Sequence, residues 1–263
     1  MRQILMMALF TALAIFVVAR ACPDFGQERH STSKSQNWAE ELWERAIAAK
    51  GGHERLQQVQ TLAVFSHSNR GKFSRASGKA YSVTFCRLPG EWWNWSDLRP
   101  SPLGGRAIVY RADWGPNSRF FLMRDQLHYL METKWLRPVP VSARKEVLDG
   151  IRVDVVRTEL QDGYDAEFFL DPQTHLPREV RFGKHEEKRL PPWNGLALSD
   201  YAPCQGIQMA RTERAFDLSP VPLSYEMNPE YDPAVFDRPA RFEDGPEAWR
   251  PKGGSKKPIV RCD

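Results

Sequence analysis

The chain has 263 residues, 41% hydrophobic and 27% charged. That length can bury a sizeable core in one large domain or two small ones, and that balance excludes a mostly disordered chain. Lys plus Arg number 37 against 33 for Asp plus Glu, and a net charge of +4 is too slight for a nucleic-acid footprint.

At the start, Arg2 precedes an apolar run from Ile4 to Val18, followed by Ala19-Arg20-Ala21-Cys22. A basic residue, a short apolar core and small residues before a cleavage point predict a secretory signal peptide over residues 1–21. An uncleaved N-terminal anchor is the other reading. Either way the bulk of the chain is exported: periplasmic, or membrane-anchored if the signal stays on or Cys22 is lipidated. Ala21-Cys22 resembles the processing box of bacterial lipoproteins, but Arg20 and Ala19 fit that box poorly, which favours plain secretion. An oxidising compartment lets four cysteines form disulfides, and no Cys-x-x-Cys points to zinc or thioredoxin-type chemistry. Cys22 with Cys262 and Cys86 with Cys204 is the pairing expected here.

Residues 22–36 read as a polar linker. Trp38–Lys50 then predicts a helix capped by Asn37, with Trp38, Leu42, Trp43, Ala46, Ile47 and Ala49 as its apolar stripe. Gly51-Gly52 stops it, and His53–Gln60 leads as a turn or short helix into a strand from Thr61 to Ser68. From there the apolar period is two. Strands are expected at Ala80–Leu88, at the tryptophan-rich Glu91–Asp97, and at Arg106–Ala112, Arg119–Met123, Ile151–Leu160, Tyr164–Leu170, Pro177–Phe182, Leu196–Tyr201 and Ile207–Phe216. Residues 126–141 are ambiguous: Leu127, Leu130, Met131 and Leu136 suit a helix that Pro138 and Pro140 would end. Tyr225–Phe242 shows no clear period. Arg250, Lys252, Lys256, Lys257 and Arg261 make residues 244–263 a basic flexible tail, suited to peripheral contact with an anionic membrane surface.

Short turn-rich links between the strands imply antiparallel neighbours. The fold class is therefore mainly β (α+β), a large antiparallel sheet with one leading helix. A sheet of that size must curl or be covered to hide its apolar face. In Glu91–Asp97, Trp93 and Trp95 share one face, with Glu91 and Asp97 beside them, and Trp92, Asn94 and Ser96 share the other. The apolar residues of each strand are the candidate ligand contacts: Tyr81, Val83 and Phe85; Trp93 and Trp95; Phe120 and Leu122; Val153 and Val155; Phe168 and Leu170. They either wall a groove or fill an ordinary core.

Several short motifs resemble a known family. Gly51-Gly52 with Leu56, Val59 and Thr61-Leu62 is similar to the opening of the LolA/LolB-like outer-membrane lipoprotein-sorting superfamily. Phe169-Leu170-Asp171-Pro172 with Leu176-Pro177, then Ser199-Asp200-Tyr201 with Gly206-Ile207, resemble its later hairpins. Asn228 with Phe236 and Pro239 resembles its closing segment. The matches keep their order from about residue 38 to 240. The resemblance implies an open, curved half-barrel over residues 37–243, with the helix and lid elements across its concave face, and an acyl chain, a lipid or a lipidated protein as partner. The arginine with which the carriers hold their lid is not placed in this sequence.

No nucleophile, metal or phosphate-loop signature is present. His53-Glu54 and His185-Glu186 lack the second histidine of a zinc-protease helix, and no Gly-x-Ser-x-Gly or Gly-x-Gly-x-x-Gly occurs. The sequence thus points to a non-catalytic carrier without cofactor or metal. An envelope scaffold that holds a protein partner is the alternative, and a secreted hydrolase ranks below both.

Overall fold

The computed structural model describes residues 34–69, 79–99, 107–112, 116–186, 189–191, 195–215, 218–231 and 260–262. Among the described residues, twelve strands, all paired antiparallel, form one sheet. They are β1 (Thr61–Asn69), β2 (Lys79–Arg87), β3 (Glu91–Arg99), β4 (Ala107–Ala112), β5 (Val139–Leu148), β6 (Ile151–Glu159), β7 (Tyr164–Leu170), β8 (Pro177–Lys184), β9 (Gly195–Cys204), β10 (Ile207–Ala215), β11 (Val221–Met227) and β12 (Arg261–Cys262). The order is β4-β3-β2-β1-β11-β10-β9-β8-β7-β6-β5, with β12 added beside β11. Among the described residues the sheet does not close, and this is an open half-barrel with β4 and β5 as its two edges.

Among the described residues, three α-helices accompany it: α1 (Lys34–Lys50), α2 (His53–Gln57) and α3 (Pro116–Leu130). α1 begins a turn earlier than its expected cap at Asn37, and the Ser35 hydroxyl lies 3.4 Å from both the N–H and the C=O of Ala143 on edge strand β5. Trp43 of α1 meets Phe168 of β7 edge-on, with ring centres 4.9 Å apart. The helix ends at Gly51, whose φ is +138°. A side chain there would meet the Gly206 carbonyl oxygen at 2.7 Å, so the residue must be glycine for α1 to dock on the β9–β10 turn. His53 ties the helices together, its Nδ1 2.5 Å from Glu132 just beyond α3 and its Nε2 2.9 Å from Glu44 of α1. The Glu44 bond, ahead of Glu132, raises its pKa against the opposing effect of burial.

Four elements differ from the sequence reading. Residues 119–123, expected as a strand, lie within helix α3. β5 and β11 were hidden by Pro138, Pro140 and Pro222. β5 tolerates Pro140 because it is an edge strand, with an irregularity in register between Pro140 and Ser142. Finally, the segment expected as a free tail is fastened at its far end: Arg261 and Cys262 pair with Glu226 and Tyr225, and Cys262 is disulfide-bonded to Cys204.

That disulfide also replaces the expected pairing of Cys86 with Cys204 and of Cys22 with Cys262. Cys86 faces the helices as a buried free thiol, and burial raises its pKa. Cys22 lies outside the described residues, as do the expected signal peptide and the expected linker up to residue 33.

Candidate functional site

The register separates two faces. Trp92, Cys86, Leu62 and Met227 form one cross-strand row, Asn94, Thr84, Val64 and Tyr225 the next, and Ser96, Ser82, Ser66 and Leu223 a third. These rows belong to the face that carries α1 and α3. The alternate rows, Trp93 with Phe85 and Ala63, then Trp95 with Val83 and Phe65, lie on the opposite face.

α3 spans the open side of the sheet. At one end Phe121 stacks on Trp92 of β3, ring centres 5.2 Å apart. The Trp92 indole N–H also donates to Asp125 Oδ2 at 2.7 Å. From the adjacent position on the helix, Phe120 packs on Phe182 of β8 at 4.9 Å and on Tyr164 of β7 at 5.9 Å. Beneath α3 is a cavity of about 320 Å³, at the small end of the ~300–1,000 Å³ of ligand pockets.

Its walls are mixed. Val64, Phe120, Phe182 and Leu196 are apolar, Ser66, Ser82 and Thr84 present hydroxyls, and Arg124, Asp125, His128, Tyr129 and Glu213 are titratable. The hydroxyl wall is ordered: Ser66 and Ser82 share a hydrogen bond of 3.1 Å, and the Asn94 amide donates to Thr84 Oγ1 at 3.0 Å. Arg124 donates to Asp125 Oδ1 through Nε at 2.9 Å and Nη2 at 2.7 Å. Tyr129 donates its hydroxyl to Glu213 Oε2 at 2.8 Å. Burial lifts the Glu213 pKa to about 7, although the Tyr129 bond pulls the other way. Burial, then the Arg124 charge, holds His128 well below the usual histidine range, against a contact with the Val180 backbone. His128 Nε2 is buried without a hydrogen-bond partner.

The predicted contacts divide between the faces. Phe120 and Leu122 come from α3 rather than a strand, Phe168 and Leu170 lie in the core under the helices, and of these only Phe120 lines the cavity. Val83, Phe85, Trp93 and Trp95, with Tyr81 packed on them, form an aromatic cluster on the other face, where Trp93 is 1% exposed. Val153 and Val155 lie on that same side with Phe169, beneath Arg181. Of the two readings offered by the sequence for Trp93 and Trp95, groove wall or ordinary core, the structure places them in an aromatic cluster on the face away from the helices. Trp92 belongs to the helix-covered face, because an odd count of residues separates the faces and only cross-strand register assigns them.

Sequence reasoning missed Arg124, Asp125, His128, Tyr129 and Glu213. A signal was there: Phe120, Arg124 and His128 recur every four residues, as do Phe121, Asp125 and Tyr129, two adjacent stripes of one helix. Glu213 gave none, since the helix brings Tyr129 to it across the fold. Among the described residues no group of His, Cys, Asp or Glu is arranged to hold a metal ion, and no helix is long and apolar enough to cross a membrane.

With an open antiparallel sheet, helices on one face and a cavity between them in place, the architecture can be compared. It is similar to a LolA superfamily protein. That protein, NE2245 from Nitrosomonas europaea, shares 12% identity over 75% of this chain and 96% of its own, with a TM-score of 0.39. MucB is similar at 15% identity over 73% of this chain and 76% of its own, with a TM-score of 0.19. The MucA/MucB complex of Pseudomonas aeruginosa matches at 15% identity over 71% and 75%, with a TM-score of 0.18. No family model and no curated protein matches the sequence. The superfamily met here is the one that the sequence motifs resemble. At TM-scores this low the likeness carries no argument about function, which rests on the cavity.

Proposed function

We propose that this chain is an exported, non-catalytic binding or carrier protein that holds an acyl chain, as a lipid or on a lipidated protein, in the cavity beneath α3. The observation that carries this reading is that cavity of about 320 Å³ between α3 and the open sheet, with Val64, Phe120, Phe182 and Leu196 as its apolar side. Each methylene transferred there from water contributes about 0.8 kcal/mol before ordering costs. Because such binding uses area rather than a reactive constellation, the absence of a sequence motif for it is expected. The polar side of the cavity suits an amphiphile better than a bare hydrocarbon.

Native mass spectrometry of the mature protein, purified from its own envelope without harsh detergent, tests the reading. A retained lipid mass supports it, and Leu196→Trp, which fills the cavity, should abolish that mass. A protein that stays empty after incubation with candidate lipids overturns it.

A scaffold for a protein partner is the second reading. What favours it is β5, the last strand in the sheet order among the described residues, where Val139 is 58% and Val147 62% exposed. A polypeptide retained in the same experiment, with no lipid, would support this reading instead.

A further inference from the structure

We propose that the head of the bound ligand is a neutral, hydroxyl-bearing group, seated between Glu213 of β10 and His128 and Arg124 of α3. This rests on the amphiphile reading above and names the class of head group.

The inference comes from asking which polar groups of the cavity are already satisfied. Asp125 is: it accepts from the Trp92 indole and from Arg124, and so forms an internal ion pair. The Arg124 bonds to Asp125 use Nε and Nη2, not Nη1. Glu213 accepts from Tyr129 at Oε2, and no cation neutralises its carboxylate within salt-bridge distance among the described residues. His128 is neutral, and a neutral imidazole offers one donor and one acceptor. Its Nε2 is buried and unpartnered, which costs free energy until something occupies it. Ser66, Ser82 and Thr84 add hydroxyls that donate or accept as needed.

Three head groups can be weighed against this inventory. A carboxylate or phosphate would place a second negative charge beside Glu213, with only an already paired arginine to offset it. An ammonium would suit Glu213 but meet the Arg124 charge across the same cavity. A hydroxyl donates to Glu213 or His128 and accepts from Arg124, and brings no net charge into a site where burial already disfavours charge. A head with two adjacent hydroxyls, such as a glycerol, can engage both sides at once.

The test compares ligands of equal chain length on the whole mature protein: monomyristoylglycerol and myristate, each competing with a fluorescent fatty acid at pH 8. Monomyristoylglycerol should bind about tenfold more tightly. Glu213→Gln, which keeps the shape but removes the charge, should narrow the gap chiefly by improving myristate. His128→Phe should narrow it by weakening the glycerol ligand. Circular dichroism checks that both variants fold, and the wild-type comparison stands without them. Equal binding, or tighter binding of myristate, overturns the hydroxyl head while leaving the amphiphile reading in place. Binding of neither ligand overturns both.

Discussion

Trp92 and Asp125 are joined by a buried hydrogen bond of 2.7 Å that fastens the middle of α3 to strand β3. The same indole stacks on Phe121 one helical turn earlier. A single side chain thus positions the helix that roofs the cavity, through both its face and its N–H.

Trp92→Phe keeps the ring stack and removes the donor. Asp125 retains Arg124, so the loss should be moderate, about 1–3 kcal/mol in chemical denaturation. Lipid affinity should fall more than global stability implies, because α3 loses its anchor beside the cavity. An unchanged denaturation midpoint would show that the bond contributes nothing.

Trp93→Ala should behave differently. Its ring stacks on Phe85 with centres 3.8 Å apart, on the face away from the helices. Removing so large a buried side chain should cost about 3–5 kcal/mol, with little change in ligand affinity where the variant is folded. A stable variant with lost affinity would move the binding site to the aromatic face.

The two tryptophans mark how much was legible in the sequence. Period two along Glu91–Asp97 shows that neighbours part company, and turn residues show that strands pair antiparallel. Which face is covered depends on register with β2 and on where α3 lands, and neither is local information. Residues 119–123 misled because Phe120-Phe121-Leu122-Met123 is a continuous apolar run, compatible with strand or helix until Arg124 to Tyr129 are read with it. Most strand positions were legible; the polar half of the cavity was not, since it assembles from α3 and β10.

The disulfide between Cys204 and Cys262 closes a loop with a sequence separation of 58. Constraint of the unfolded chain over such a loop contributes up to about 4 kcal/mol. Reduction, or Cys204→Ser with Cys262→Ser, should lower the denaturation midpoint by a corresponding amount and release β12 from β11, seen as faster amide exchange at Tyr225 and Glu226. Cys86 should resist alkylation in the folded protein, since it is 1% exposed.

Lys50, the last residue of α1, is buried, with its ammonium 5.0 Å from the centre of the Tyr201 ring. Burial lowers its pKa from 10.5 to about 7. Above pH 7 the unfolded chain therefore holds a proton that the folded one has released, so this residue makes stability rise with pH. Lys50→Met should be more stable than the wild type at pH 7, with the advantage shrinking toward pH 9. A constant difference across that window would mean that Lys50 keeps its charge when folded.

For His53 the sign is opposite. Its bonds to Glu44 and Glu132 raise its pKa, so the tie between α1 and the end of α3 is complete below the ordinary histidine value and is lost as pH rises through the folded one. His53→Gln should flatten the pH dependence of Trp43 fluorescence above pH 6.5, the ordinary value.

The strand order has a consequence for how the chain assembles. β1 to β4 form one run of consecutive hairpins and β5 to β11 another, and the two runs meet only where β1 pairs with β11. Asn228 clasps that junction: its side-chain oxygen accepts from the N–H of Gln60 at 2.7 Å, and its amide donates to the Gln58 carbonyl at 3.2 Å. Each run can zip locally and fast, whereas joining them must wait for residues 221–228. Until then β1 has a bare edge and the cavity, whose walls come from both runs, does not exist. Joining the two runs is therefore also the step that creates the cavity.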